Sequence, residues 1–399
     1  MTAKGAGTSG TRRRGALFAA LLSAGMTATA CSSTHPTLVA LPPSSALASP
    51  AFVRVTHLHA NQEVTATLTS TDVDGRRWDV STRYRADDQG QLLLDDRLLM
   101  SAMQPASADP KGDYSWGSAP QAFRLQVAGA AVIFTQRTSR QPVAQTVVRD
   151  DGLSGIFYLP RDHARPRSAV LIIGGSNGGQ PGRLLGPILA GEGHPVLALA
   201  YFKAPGLPPT LNNIPLEYFA RAIRWLTRQP GVDPERVVID GVSRGGEAAL
   251  LIGSSYPGLV HGVIAQVPSN VALCRYPNCA TSAWTLNGRP VHFTREIDDP
   301  SPGDDPRAVI PVERIAGPVL LSCGVRDEVW SSCPYAQAVM KRLRHSRYRH
   351  QLLQCQPCDH ELGYGIPGEA HVRSASGSPG PDDQRVWESF LDASLRLLA

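Results

Sequence analysis

From Gly155 onward, short unbroken aliphatic runs alternate with segments of helical period, and this alternation constrains the fold more than any other feature of the chain. The runs are Ala169-Val-Leu-Ile-Ile, Pro195-Val-Leu-Ala-Leu-Ala, Arg236-Val-Val-Ile-Asp240, Gly262-Val-Ile-Ala-Gln-Val, Pro318-Val-Leu-Leu-Ser and Arg349-His-Gln-Leu-Leu. Between them lie helical patterns over 183–191, over 216–228, from about Gly245, over 334–344, and at the C-terminal end from about Asp383. Strands that are apolar on both faces, each followed by a helix, predict a mostly parallel sheet covered on both sides. The alternation stops between Pro268 and Val312. A stretch of that length without regular pattern in a compact domain reads as a lid-like insertion over 268–312.

Upstream the period changes to two. Phe52-Val-Arg-Val-Thr-His-Leu, Glu63-Val-Thr-Ala-Thr-Leu-Thr and Trp78-Asp-Val-Ser-Thr-Arg-Tyr-Arg alternate apolar and polar residues and are divided by Asp74-Gly75 and Gln89-Gly90. Two more such runs begin at Ala122 and Ala131. The expectation is an all-β sandwich over 51–149, joined to an α/β domain over 150–399.

The N-terminal residues read as a targeting segment. Arg12-Arg-Arg14 precedes an apolar stretch from Ala16 to Ala30, too short to span a bilayer comfortably, which ends in Ala28-Thr29-Ala30-Cys31. This end resembles a lipobox, with Ala28 where Leu is usual. It marks 1–31 as a signal peptide and Cys31 as an acylation site, and so predicts export as an anchored or secreted protein. The Ser-, Thr- and Pro-rich stretch 32–50 reads as a flexible tether. With Cys31 assigned to lipid, six of the seven cysteines remain for disulfides in an oxidising compartment. Cys274 with Cys279 and Cys323 with Cys333 are plausible local bridges, while Cys355 and Cys358 either close on each other, pair across to a neighbouring loop, or bind zinc. A net charge of +5 with both signs interspersed, and no basic stripe interleaved with aromatics, points away from nucleic acid as a partner.

The chemistry is concentrated in Gly241-Val242-Ser243-Arg244-Gly245, set directly after one strand and before one helix. A G-x-S-x-G turn in that context holds its serine on a sharp bend with the hydroxyl exposed. Ser243 is therefore the candidate nucleophile. In this chain order an acid and then a histidine should follow. Asp327, after the strand that begins at Pro318, and His360, after the final strand, occupy those places. Glu328 and Asp359 are alternative acids, and His345, His350 and His371 weaker bases. Asp240 beneath the turn reads as a strand-end hydrogen-bond acceptor. Oxyanion donors are expected from the backbone N–H of Arg244 and from the glycine-rich Gly174-Gly175-Ser176-Asn177-Gly178-Gly179 loop, at Ser176 or Asn177. That loop lacks the lysine of a P-loop and the spacing of a dinucleotide fingerprint. No metal or organic cofactor is implied.

These motifs, in this order, resemble the acyl-CoA thioesterase and bile acid-CoA:amino acid N-acyltransferase family of the α/β-hydrolase superfamily. The resemblance runs over about 51–398 and is carried by Asp150-Asp-Gly-Leu-Ser-Gly-Ile-Phe-Tyr-Leu-Pro160, Gly174-Gly-Ser-Asn-Gly-Gly179, Leu197-Ala-Leu-Ala-Tyr-Phe202, Ile214-Pro-Leu-Glu-Tyr-Phe219 and, most specifically, Gly241-Val-Ser-Arg-Gly-Gly-Glu247. It implies the same triad, Ser243, Asp327 and His360, acting on a small acyl thioester or carboxylic ester. A serine in place of the cysteine found in the transferring members implies hydrolysis. Transfer of the acyl group to an amine or alcohol, and a non-catalytic surface binding module, are the competing expectations. The six cysteines and the export signal depart from the intracellular members, so the resemblance speaks more to mechanism than to substrate.

Overall fold

The computed structural model describes residues 35–49, 51–106, 114–356, 358–360 and 381–399. Residues 35–399 form one compact unit. Its first part contains β1 (Thr37–Leu41), β2 (Ser44–Ala46), β3 (Phe52–Thr56), β4 (Glu63–Thr71), β5 (Arg77–Arg85), β6 (Leu92–Asp95), α1 (Asp96–Ser101), β7 (Gln104–Pro105), β8 (Gln121–Val127) and β9 (Ala130–Arg137). Among the described residues these strands make two sheets, ordered β1-β3-β6 and β2-β9-β8-β4-β5-β7. In β4 the burial alternates residue by residue, with Val64, Ala66, Leu68 and Ser70 inward, as the period of two requires.

Two expectations change here. The stretch read as a tether is structured from Thr37 on, because β1 pairs with β3 and β2 with β9, and Ala46 and Leu47 are buried beneath them. Its Ser, Thr and Pro content concealed three inward apolar residues. The region is also not purely β. Asp95 caps the short helix α1, its carboxylate accepting the Arg97 N–H at 2.9 Å, and Arg97 pairs with Glu388 near the C-terminal end of the chain.

The second part comprises β10 (Val143–Val148), β11 (Ser154–Pro160), β12 (Arg167–Ile173), α2 (Leu185–Gly191), β13 (Val196–Ala200), β14 (Ile214–Pro215), α3 (Leu216–Leu226), β15 (Val232–Val242), α4 (Arg244–Ser255), β16 (Gly262–Gln266), β17 (Trp284–Leu286), β18 (Arg289–Pro290), β19 (Val319–Gly324), α5 (Ser332–Leu343), β20 (Gln351–Cys355) and α6 (Pro381–Leu398). The main sheet runs β10-β11-β13-β12-β15-β16-β19-β20. Its two leading pairings are antiparallel and the others parallel. This is the α/β-hydrolase architecture expected. The sheet begins at Val143, earlier than the boundary drawn at 149/150; β10 is an edge strand in which only Val148 is buried, and Gln145 and Thr146 interrupt its apolar residues, so it lacks the unbroken aliphatic run that marks the inner strands.

The two faces of β12 explain the layering. Ala169, Leu171 and Ile173 lie in one apolar cluster with Phe219, Ile223, Leu250 and Ile252 from α3 and α4. Val170 and Ile172 lie in the other, with Ile188 of α2 and Trp387 and Phe390 of α6, and that cluster continues without a break into Val53, Trp78 and Phe123 of the first part. Helix α4 is buried on every side, and the small residues Gly245, Gly246, Ala248, Ala249 and Gly253 let it approach the sheet.

The 268–312 stretch, expected as a lid-like insertion, is packed against the domain. β17 and β18 join β14 in a small sheet, and Ala272, Leu273, Ala283 and Trp284 are buried. Its apolar residues are too scattered to carry a period, which is why sequence alone suggested a lid.

Candidate active site

Ser243 stands between β15 and α4 with φ +57° and ψ −120°, a left-handed backbone rarely adopted by a residue with a side chain. The flanking glycines allow the bend. A Cβ on Gly241 would lie 2.1 Å from the Gly245 carbonyl oxygen, and one on Gly245 would lie 2.5 Å from that of Gly174. The Ser243 N–H is held by the Gln266 carbonyl of β16 at 2.8 Å.

The ends of β19 and β20 bring two further side chains to this bend. His360 Nε2 is 2.9 Å from Ser243 Oγ, and His360 Nδ1 is 2.9 and 2.8 Å from the two Asp327 carboxylate oxygens. A carboxylate only accepts, so the ring proton belongs on Nδ1 and leaves Nε2 free to accept from the serine hydroxyl. Asp327 is fixed in turn: its Oδ1 accepts the N–H groups of Val329 at 3.0 Å and Trp330 at 3.2 Å, and its side chain is 1% exposed. The Trp330 ring meets His360 edge to face with centroids 5.3 Å apart, and its indole N–H donates to the Val267 carbonyl at 3.1 Å. Nothing in the sequence singled out Trp330, since its partners come from three separate strand ends.

The alternatives lie elsewhere. His350 accepts the Val319 N–H, His345 accepts from Arg344, and Glu328 is exposed. Asp359 turns its carbonyl oxygen toward Gly324. His371 and Cys31 lie outside the described residues.

On the facing side, Gly175 abuts the serine: a Cβ there would stand 3.2 Å from Ser243 Cβ and 3.6 Å from its Oγ. Ser176 is half-buried and Asn177 exposed in the turn closed by the Gly178 N–H on the Gly175 carbonyl, at 3.3 Å. Tyr201 braces this loop by donating its hydroxyl to the Gly174 carbonyl at 2.8 Å, and burial pushes its phenol well up. Arg244 begins α4, where backbone N–H groups have no partner within the helix.

Two buried carboxyls flank the bend. Burial pushes Asp240 up to about 7 against the downward pull of the Gln266 amide, which donates to it at 2.9 Å. It is the hydrogen-bond acceptor expected. Burial also raises Glu247, opposed first by Arg244 at 3.0 Å. Glu247 Oε1 accepts both the Leu273 N–H at 2.9 Å and the Trp284 indole N–H at 2.6 Å, and Arg244 donates to the Leu273 and Cys274 carbonyls. The 268–312 stretch is thus tied to the first turn of the helix that follows the serine. Bridges join Cys274 to Cys279, Cys323 to Cys333 and Cys355 to Cys358. Among the described residues no group of three or more His, Cys, Asp or Glu is placed to hold a metal ion.

Comparison with known proteins finds similarity over most of the chain. Residues 214–362 match the family model described as BAAT / Acyl-CoA thioester hydrolase C terminal. Human acyl-coenzyme A thioesterase 1 is 28% identical over 356 residues, covering 79% of this chain and 82% of that protein. Mouse acyl-coenzyme A thioesterase 3 is 26% identical over 369 residues, covering 83% of each. Among solved structures, an alpha/beta hydrolase enzyme from a Medee basin deep-sea metagenome library aligns with a TM-score of 0.44 at 15% identity, covering 64% of this chain and 96% of that one.

Proposed function

We propose that this hydrolase, similar over most of its length to acyl-coenzyme A thioesterases, cleaves an acyl thioester through a Ser243 acyl-enzyme. One observation carries the reading: the His360 ring stands within hydrogen-bond distance of both Ser243 Oγ and the Asp327 carboxylate. His360 Nε2 takes the hydroxyl proton as Oγ attacks the thioester carbonyl carbon, and Asp327 stabilises the imidazolium that forms. The oxyanion then falls to the N–H of Arg244 at the start of α4 and to the N–H of Ser176, which follows the glycine packed against the serine; each such donor is worth about 3 kcal/mol of barrier. Asn177, exposed on its turn, is the weaker candidate. Collapse breaks the carbon–sulfur bond. The thiol departs with the proton held by His360, water deprotonated by His360 attacks the acyl carbonyl, and a second collapse breaks the bond to Oγ, frees the carboxylic acid and returns the proton from His360 to the serine.

A thiolate, with a conjugate acid near 8.5, leaves far more readily than an alkoxide, so thioesters demand less of His360 as an acid than oxygen esters do. The test pairs a fluorophosphonate label with acyl-CoA and p-nitrophenyl ester panels matched in chain length. Ser243→Ala should abolish labelling and lower kcat by at least about three orders of magnitude. A folded wild-type protein that takes no label and turns over neither panel sinks the reading. The ratio between panels identifies the preferred leaving group. We further propose export with acylation at Cys31, on the strength of Arg12-Arg-Arg14 and Ala28-Thr29-Ala30-Cys31. Mass spectrometry of the N-terminal peptide from expressing bacteria tests it, and an unmodified, uncleaved N-terminus overturns it.

A further inference from the structure

Asp327 and His360 sit on two loops, and each loop carries a bridge of its own. Cys323 lies near the end of β19 and Cys333 in the first turn of α5, so their bond closes the ten-residue excursion that carries Asp327 and Trp330. Cys355 ends β20, and Cys358 precedes His360 by two residues. All four cysteines are buried, none more than 5% exposed.

The loops are also joined to each other through the cysteines themselves. The Val325 N–H donates to the Cys355 carbonyl, and the Arg326 N–H to the Cys358 carbonyl, both at 2.9 Å. The two residues before Asp327 therefore hang from the two ends of the bridge that leads into His360. The contact is backbone on backbone: a Cβ on Gly324 would fall 2.1 Å from the Asp359 carbonyl oxygen and 2.7 Å from that of Cys358. Beneath lies the nucleophile's own support. Cys355 and Cys358 cluster with Val267 and Val242, the latter adjacent to Ser243. Val267, a β-branched residue at φ +40°, accepts at its carbonyl from the indole N–H of Trp330, the ring that meets His360 edge to face.

We propose that the Cys323–Cys333 and Cys355–Cys358 bridges are positioning devices for the His360–Asp327 pair, and that turnover depends on both being closed. The inference rests on the catalytic reading above. The physical reason is tolerance: a proton relay of this kind fails when its members drift by about 1 Å, and the backbone bonds that join the two loops end on the carbonyls of Cys355 and Cys358, so freedom in the bridge becomes drift of the pair. A bridge removes that freedom from the loop and from the carbonyls that hold the facing loop.

The test uses the full chain with Cys323→Ala/Cys333→Ala and Cys355→Ala/Cys358→Ala. For each, kcat, KM and the rate of fluorophosphonate acylation at Ser243 are measured beside circular dichroism and melting. Folded variants should lose at least about tenfold in kcat and in acylation rate together, with KM within about twofold. A merely structural bridge would lower the melting temperature and leave kcat of the folded protein intact, and that result overturns the proposal. If a variant does not fold, wild-type protein made in a reducing cytoplasm and purified under a phosphine reductant replaces it, with thiols counted by mass spectrometry before and after oxidation with oxidised glutathione. Activity rising at least about tenfold as these bridges close supports the proposal. Equal activity in both states, or a reduced chain that does not fold at all, assigns the bridges to folding and overturns it. Absence of labelling in the oxidised wild-type protein would instead strike the catalytic reading.

Discussion

Asp240 lies three residues before the nucleophile and reports on pH while taking no part in the proposed chemistry. Its folded-state value near 7 stands above the ordinary 3.8, so between those values the folded protein holds a proton that the unfolded chain has released. Unfolding therefore becomes easier as pH rises through this window, by an amount on the order of 4 kcal/mol, and levels off above about 7. Asparagine keeps the oxygen that accepts from Gln266 and has no charge to desolvate. Asp240→Asn should thus stabilise by about 2 kcal/mol at pH 5, where the unfolded carboxyl has already ionised, and by about 4 kcal/mol at pH 8. Denaturant titrations of both proteins at the two pH values check this, and an equal difference at both would contradict it. Burial raises Asp96 and Glu247 in the same sense, but both are common to the two proteins and cancel in the comparison.

Helix α4 and the 268–312 cover meet through Glu247, which is fully buried and serves the Leu273 amide, the Trp284 indole and Arg244 at once. Removing it strands two donors and a buried guanidinium. Glu247→Ala should cost about 3–5 kcal/mol, whereas Glu247→Gln, which keeps an oxygen for Leu273 and Trp284, should cost less. Thermal melts of the two variants decide the point, and equal losses would mean that the charge and not the acceptor matters. The Gly-Gly-Glu run was visible as a motif. Its use as an anchor for the cover was not, because Leu273 and Trp284 lie 26 and 37 residues away.

The strands before Val143 and the sheet that follows share one apolar cluster, in which Val53, Trp78 and Phe123 are continuous with Val170, Ile172, Ile188 and Trp387. Arg97 and Glu388 add a polar tie between α1 and α6. A core common to both parts predicts one cooperative unfolding transition and not two. Calorimetry together with near-ultraviolet and far-ultraviolet dichroism tests this, and two resolved transitions would show the parts to be independent. Reading the sequence as two domains followed the change of period near Gly155. Period reports on local backbone and is blind to which apolar faces meet.

The sequence alone determined the alternation of strand and helix, the strained serine turn and the order of serine, acid and histidine, because each depends on residues adjacent in the chain or on a period within one element. It also offered local partners for the cysteines, but left open whether Cys355 and Cys358 bond to each other, bond elsewhere or bind zinc. Only the tertiary structure decided that pairing, the Trp330 contact with His360, the Gly324 contact with Asp359, the Glu247 anchor and the ordered strands in the supposed tether. Each of these depends on where separate strands end in space, and sheet register and packing set that position rather than local propensity.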